Sequence, residues 1–197
     1  MQKSKERPAK KILVLGPCKA GKSAISTYLA EAIDSESLGE YRPTKGVRIV
    51  EFESNELDIR GQRAEVDVEL WDCSGDVRYR DCWPALKDGV EGVILVADPD
   101  VDKGEDLLIW YEEFIQKTNL RNDNVMVVLN EKGDKNTNSG NIAAFKVIAG
   151  LSPAVFVGCN LRHEGEHLKQ VFYQFLVNVI QRSDDNSIFS GQILDDN

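Results

Sequence analysis

Short runs of consecutive apolar residues alternate along this chain with stretches whose apolar positions recur every three or four residues. Lys11–Leu15 (KILVL), Gly92–Ala97 (GVILVA) and Asn124–Leu129 (NVMVVL) are almost unbroken apolar segments of strand length, as expected of strands covered on both faces. Val47–Glu53 and Glu65–Trp71 instead alternate apolar and polar residues, which predicts half-buried strands. The charged stretch Ser54–Ala64 between them, with Gly61, predicts a hairpin loop. Ala154–Gly158 is a last short strand. Helices are predicted over Gly21–Ile33, Glu105–Lys117 and Asn141–Ala149. Leu168, Val171, Phe172, Phe175, Leu176, Val179 and Ile180 then place one apolar face on a long final helix, suited to covering a sheet. Asp34–Gly46 is polar, contains Gly39, Pro43 and Gly46, and reads as a loop. Strands alternating with helices predict an α/β fold: a mostly parallel six-stranded sheet with helices on both faces and the hairpin as one antiparallel edge pair. Met1–Lys10 and Ser183–Asn197 are polar and aperiodic and are expected to be flexible tails, the second acidic. That leaves residues 11–182 as the single domain.

Composition narrows the function more than the fold. A net charge of −9 excludes general nucleic-acid binding, which requires a basic surface, yet one nucleotide can still be held by a local cradle of backbone N–H groups. The four cysteines, Cys18, Cys73, Cys82 and Cys159, form no CxxC pair, so reduced thiols in a cytosolic compartment are expected in place of a zinc site. No run approaches the roughly 18 apolar residues of a membrane span. The basic, polar start does not read as a secretory signal. The last residues, GQILDDN, carry no cysteine for a prenyl anchor, so membrane association is expected only through a partner.

The chemistry concentrates between the first strand and the first helix. Gly16-Pro17-Cys18-Lys19-Ala20-Gly21-Lys22-Ser23 fits the phosphate-loop pattern GxxxxGK[ST], placed after a buried strand and opening a helix as that chemistry demands. Consecutive N–H groups from Lys19, Ala20, Gly21, Lys22, Ser23 and Ala24 would face a polyphosphate at the positive end of the helix. Lys22 would add a point charge at the β and γ phosphates, and the Ser23 hydroxyl would ligate Mg²⁺.

With that loop fixed, the remaining segments resemble the Ras-like small GTPases in their order. Tyr41-Arg42-Pro43-Thr44-Lys45-Gly46 is similar to the first switch of Rab proteins, which implies that Thr44 ligates Mg²⁺ and senses the γ phosphate. Trp71-Asp72-Cys73-Ser74-Gly75 resembles the second switch, which implies that Asp72 holds Mg²⁺ through water and that the Gly75 N–H meets the γ phosphate. The stretches GPCKAGKS, YRPTKGVRI, ELWDCSGD and CWPAL together resemble the Rab-like GTPases of intraflagellar transport complex B, over roughly residues 11–182. That resemblance implies GTP or GDP as bound ligand, Mg²⁺, docking on coiled-coil subunits of the complex B core, and residence in the cytoplasm, the cilium or flagellum and its base.

Two departures shape the expected activity. Where Ras-like enzymes carry a water-orienting glutamine, this chain has Asp76; a carboxylate repels the γ phosphate and donates no amide hydrogen bond, so intrinsic hydrolysis is expected to be very slow. Cys18 adds bulk in the phosphate loop, where it crowds the transition state. The guanine motif NKxD is also altered. Without a gap, Glu131-Lys132-Gly133-Asp134 replaces it, keeping Lys132 and Asp134 for the base and losing the asparagine. With one inserted residue, Asn130 is recovered. The spacing from Asp72 favours the ungapped register. Cys159-Asn160-Leu161 stands where a further base contact falls, which makes Asn160 the third base-binding candidate. Four roles are open at this stage: a GTP-dependent docking subunit, with Trp83, Tyr79 and Trp71 as candidate anchors; a cycling signalling enzyme; an ATP-using enzyme, for which no lid-length insertion is present; and a protein whose nucleotide is purely structural.

Overall fold

A computed structural model describes residues 9–30, 42–133 and 154–192. Six strands form one sheet in the order β2-β3-β1-β4-β5-β6: β1 (Lys10–Leu15), β2 (Val47–Ile59), β3 (Gln62–Cys73), β4 (Gly92–Ala97), β5 (Val125–Asn130) and β6 (Val155–Cys159). Every pairing is parallel except β2 with β3, so the hairpin forms the antiparallel edge anticipated from its alternation. The helices are α1 (Lys22–Leu29), the short α2 (Trp83–Lys87), α3 (Leu108–Tyr111) and α4 (Leu161–Gln192).

The two-residue period of the strands divides the core into two layers. Ile12 and Val14 of β1, with Ile94, Val96, Met126 and Val128, face α1 and α4 and meet Ile25, Leu29, Leu168, Phe172, Phe175 and Val179. Leu13 and Leu15, with Val93, Leu95, Val125 and Val127, face the opposite way, onto Trp83, Leu86, Trp110 and Phe114. The apolar stripe of the last helix is therefore core: Leu168, Phe172, Phe175, Leu176 and Val179 are all fully buried.

Several boundaries differ from the sequence reading. The segment 54–64 is not a loop: β2 and β3 run through it to a two-residue turn at Arg60-Gly61, both with positive φ, the conformation that matches strand twist in tight hairpins. An irregularity between Ser54 and Leu57 turns Leu57 into the α4 side of the core, where it is 1% exposed. One apolar residue among charged neighbours thus extends the pairing. The helix expected over 105–117 divides into a 3-10 turn (Gly104–Leu107), α3 and a π-helical turn (Glu112–Gln116). The backbone of α4 continues to Gln192, past the boundary expected at Arg182. The helix expected over Asn141–Ala149 lies outside the described residues, as do residues 1–8 of the first tail and 193–197 of the second. Among the described residues no helix is long and apolar enough to cross a membrane.

Candidate functional site

The carboxyl ends of β1 and β3 open onto one cavity of about 420 Å³, the edge of a parallel sheet where ligands bind in open α/β folds. Its lining includes Cys18, Lys19, Gly21, Lys22 and Ser23 of the phosphate loop, Pro43, Thr44 and Lys45 of the first switch segment, and Ser74, Gly75, Asp76, Arg78 and Tyr79 of the second. Three segments far apart in sequence therefore converge, and a backbone bond from Ser74 N to Gly46 O at 2.7 Å ties the two switch segments together.

The loop is built to present positive ends inward. Gly21 caps α1 with φ 103°, and the first intrahelical bond is Ile25 N to Gly21 O at 3.0 Å. The amides of Lys22, Ser23 and Ala24 precede that ladder and have no partner within the helix. Ala20 is buried beneath the loop; neither it nor Ala24 lines the cavity. The Lys22 side chain is 6% exposed, and its ammonium donates to Gly16 O (2.9 Å) and Pro17 O (2.7 Å). Those two bonds fix its direction and leave one of its three donors for an anion. Burial pulls its pKa below the ordinary lysine value, against the attraction of nearby Asp72.

Gly75 sits against the phosphate loop so closely that a Cβ there would lie 2.5 Å from Cys18 N and 2.5 Å from Pro17 C. Only glycine allows this contact between the second switch segment and the loop. Next to it, Asp76 caps a 3-10 turn (Val77–Cys82) by accepting from Arg78 N. Its Oδ2 also accepts from Arg78 Nε (2.8 Å) and Nη2 (2.6 Å). Those bonds hold the Asp76 carboxyl below its usual pKa, so it is an anion at neutral pH.

A cluster of oxygen atoms adjoins the loop. Ser23 Oγ and Thr44 Oγ1 lie 3.0 Å apart, and Thr44 Oγ1 donates to Asp72 Oδ2 at 3.3 Å. Asp72 is fully buried, and its Oδ1 has no hydrogen-bond partner among the described residues. A buried carboxylate oxygen without a partner, beside two hydroxyls, is an all-oxygen donor set that suits a hard divalent cation such as Mg²⁺. Burial raises the Asp72 pKa, opposed first by the Ser23 hydrogen bond and then by Arg48, Lys22 and Thr44.

Beyond the phosphate loop, the structure places Asn130 against it. The favoured ungapped register discards Asn130, yet Asn130 is buried and its Nδ2 donates to Ala20 O at 2.9 Å. Lys132 Nζ donates to Lys19 O and pairs with Asp98 Oδ2 at 2.8 Å. Both side chains therefore reach carbonyls of the phosphate loop. Asn160 Nδ2 donates to Gly133 O at 2.7 Å, which holds the 131–133 loop beside the site. Asp134, the acceptor expected for guanine, lies outside the described residues. Asp98 is the residue that the motif reading missed, and Asn130 the one it weighed and set aside; the signal for each was a polar residue at the end of an unbroken apolar strand. Of the anchor candidates, Trp83 is 2% exposed and stacks within 5.0 Å of Trp110 and 5.2 Å of Phe114. It is core, not a docking residue. Trp71 packs partly on the same cluster, and Tyr79 alone of the three lines the cavity.

The family model "Ras of Complex, Roc, domain of DAPkinase" matches residues 11–134. The chain is 38% identical to "Intraflagellar transport associated protein 2" of Caenorhabditis elegans, covering 94% of this chain and 84% of that one. It is 32% identical to the human "Intraflagellar transport protein 22 homolog", covering 86% and 89%. Among solved structures, "T. brucei IFT22/74/81 GTP-bound crystal structure" matches with TM-score 0.65 at 23% identity, over 89% of this chain and 99% of that one; at this identity the likeness concerns the fold.

Proposed function

The chain belongs to the intraflagellar transport protein 22 family of Rab-like small GTPases, and from that premise we propose that it is a GTP- and GDP-binding subunit of complex B whose switch segments dock on coiled-coil partners. The observation that carries this reading is the convergence of Lys22, Ser23, Thr44 and Gly75 on one cavity, with the switch segments bonded to each other through Ser74 and Gly46.

Residues 11–182 form the nucleotide-binding body in this reading. The amides of Lys19 to Ala24 bind the phosphates, and Lys22 offsets the charge at their outer end. Ser23, Thr44 and Asp72 would hold Mg²⁺, which supplies the positive charge that the β and γ phosphates need. Lys132, Asp134 and Asn160, with Asn130, form the base end. A terminal phosphate meeting Thr44 and the Gly75 amide orders both switch segments into one surface. The relative from T. brucei was crystallised as IFT22/74/81 with GTP, which supports complex B subunits as partners and the cilium or flagellum as the place of work. Asp76, already committed to Arg78, is neither a water-orienting amide nor a neutral bystander, which supports slow hydrolysis and a docking role over a rapidly cycling enzyme.

Calorimetry with GTP, GDP and ATP in Mg²⁺ tests the first half: guanine nucleotides should bind and ATP should bind far more weakly. Equal affinity for ATP would refute the guanine assignment. Capture of coiled-coil complex B subunits by the wild type and by Ser23→Asn tests the second. Undiminished capture by the variant would reduce the nucleotide to a structural role.

A further inference from the structure

One cation near the metal end has no place in the nucleotide-binding roles above. Arg48 sits on β2, and the antiparallel register sets it opposite Asp72 of β3. Its Nε lies 3.5 Å from Asp72 Oδ2. Its Nη2 donates to Thr27 Oγ1 at 2.7 Å and to Ser23 O at 3.2 Å, both on α1. Thr27 Oγ1 in turn donates to Ser23 O at 2.7 Å. One guanidinium is thus fixed to the strand end that carries Asp72 and to the helix turn that carries Ser23, two of the three oxygen donors of the metal end. The carboxylate it faces is fully buried, while the Arg48 side chain is 46% exposed.

We infer that Arg48 is a resident cation of the metal end, which partly neutralises Asp72 and makes nucleotide retention less dependent on Mg²⁺ than the donor set alone would make it. This deepens the nucleotide-binding reading and rests on it. Two effects act in the same direction. With the metal removed, the guanidinium still offsets the Asp72 charge, so the buried carboxylate adds less repulsion to the nearby polyphosphate. With the metal present, a fixed positive charge beside the same carboxylate opposes entry of a divalent cation. A fixed charge is also always ready, because arginine does not deprotonate. The fork is what holds it there: Thr27 and the Ser23 carbonyl take Nη2, leaving Nε toward Asp72.

The test is the release rate of a fluorescent GDP analogue from the full chain, measured in millimolar Mg²⁺ and again in excess EDTA, for the wild type, Arg48→Ala and Arg48→Lys. The readout is the release rate in EDTA divided by that in Mg²⁺. Arg48→Ala should raise that ratio about tenfold, with half-maximal retention reached at correspondingly lower Mg²⁺. Arg48→Lys, which keeps a charge and loses the fork, should fall between the two. A ratio for Arg48→Ala at or below the wild-type value overturns the inference. So does Arg48→Lys tracking Arg48→Ala, since packing and not charge would then be at work. If Arg48→Ala does not fold, Arg48→Gln retains a donor toward Thr27 without charge and replaces it under the same criteria. A wild-type chain that takes up no guanine nucleotide at all refutes the nucleotide-binding reading itself, a result that needs no Arg48 variant.

Discussion

Replacing Trp83 by alanine separates a docking residue from a core residue. Trp83 is 2% exposed, lies between Trp110 and Phe114 at centroid distances of 5.0 and 5.2 Å, and has the Arg80 guanidinium 5.1 Å above its ring. Truncating a buried tryptophan costs about 3–5 kcal/mol through lost transfer energy and the cavity left behind, a range that covers the roughly 1 kcal/mol expected from its aromatic neighbours. For a chain of this size each 1 kcal/mol moves the midpoint by about 2–4 °C, so a fall of about 10 °C is expected. Against a total stability of about 5–15 kcal/mol, the variant should remain folded in the cold. The assay is near-ultraviolet circular dichroism through a thermal ramp, paired with GTP affinity and partner capture at 10 °C. The expected result is the lowered midpoint, with both affinities close to wild type below it. A midpoint within 3 °C of wild type, together with loss of partner capture, would refute the core assignment and restore Trp83 as an anchor.

Gly75→Ala should weaken GTP binding at least tenfold, because the new methyl meets loop backbone at 2.5 Å that cannot swing aside; calorimetry giving wild-type affinity would sink this. Asp76→Gln should raise single-turnover GTP hydrolysis by about tenfold by supplying an amide toward the attacking water, and an unchanged rate would remove Asp76 as the cause of slow turnover. Native alkylation read by mass spectrometry should label the exposed Cys18 and Cys82 and spare the buried Cys73 and Cys159, whose thiols burial pushes up to about 12; bound nucleotide should slow labelling of Cys18, which lines the cavity. Glu113, whose pKa its bonds to Lys117 and Lys87 lower to about 2, should add stability that is present above about pH 4.5 and fades as pH falls toward 2. The gap in melting temperature between wild type and Glu113→Gln should therefore close on acidification, and a gap that widens would contradict the sign.

The sequence by itself determined what is carried by unbroken apolar runs and by motifs of adjacent residues. Unbroken apolar runs identified β1, β4 and β5 because a strand covered on both faces has no polar side to display. The phosphate loop was legible because its chemistry is carried by consecutive backbone amides, so the residues that matter are neighbours in the chain. Thr44, Asp72 and Gly75 were legible one step less directly, through their order and their resemblance to switch segments. What only the tertiary structure decided were contacts between residues distant in sequence. Leu57 extends the hairpin because it finds the α4 layer of the core, and no local rule separates it from its charged neighbours. Trp83 is core because α3 and the following π-helical turn bring Trp110 and Phe114 onto it. Asn130 and Lys132 join the site by reaching carbonyls of Ala20 and Lys19 more than a hundred residues away, and Arg48 meets Asp72 only through the strand register. Backbone preference acts over a few residues and can be read along the chain; charge and packing act through space, and which partners they find is fixed only when the sheet has formed.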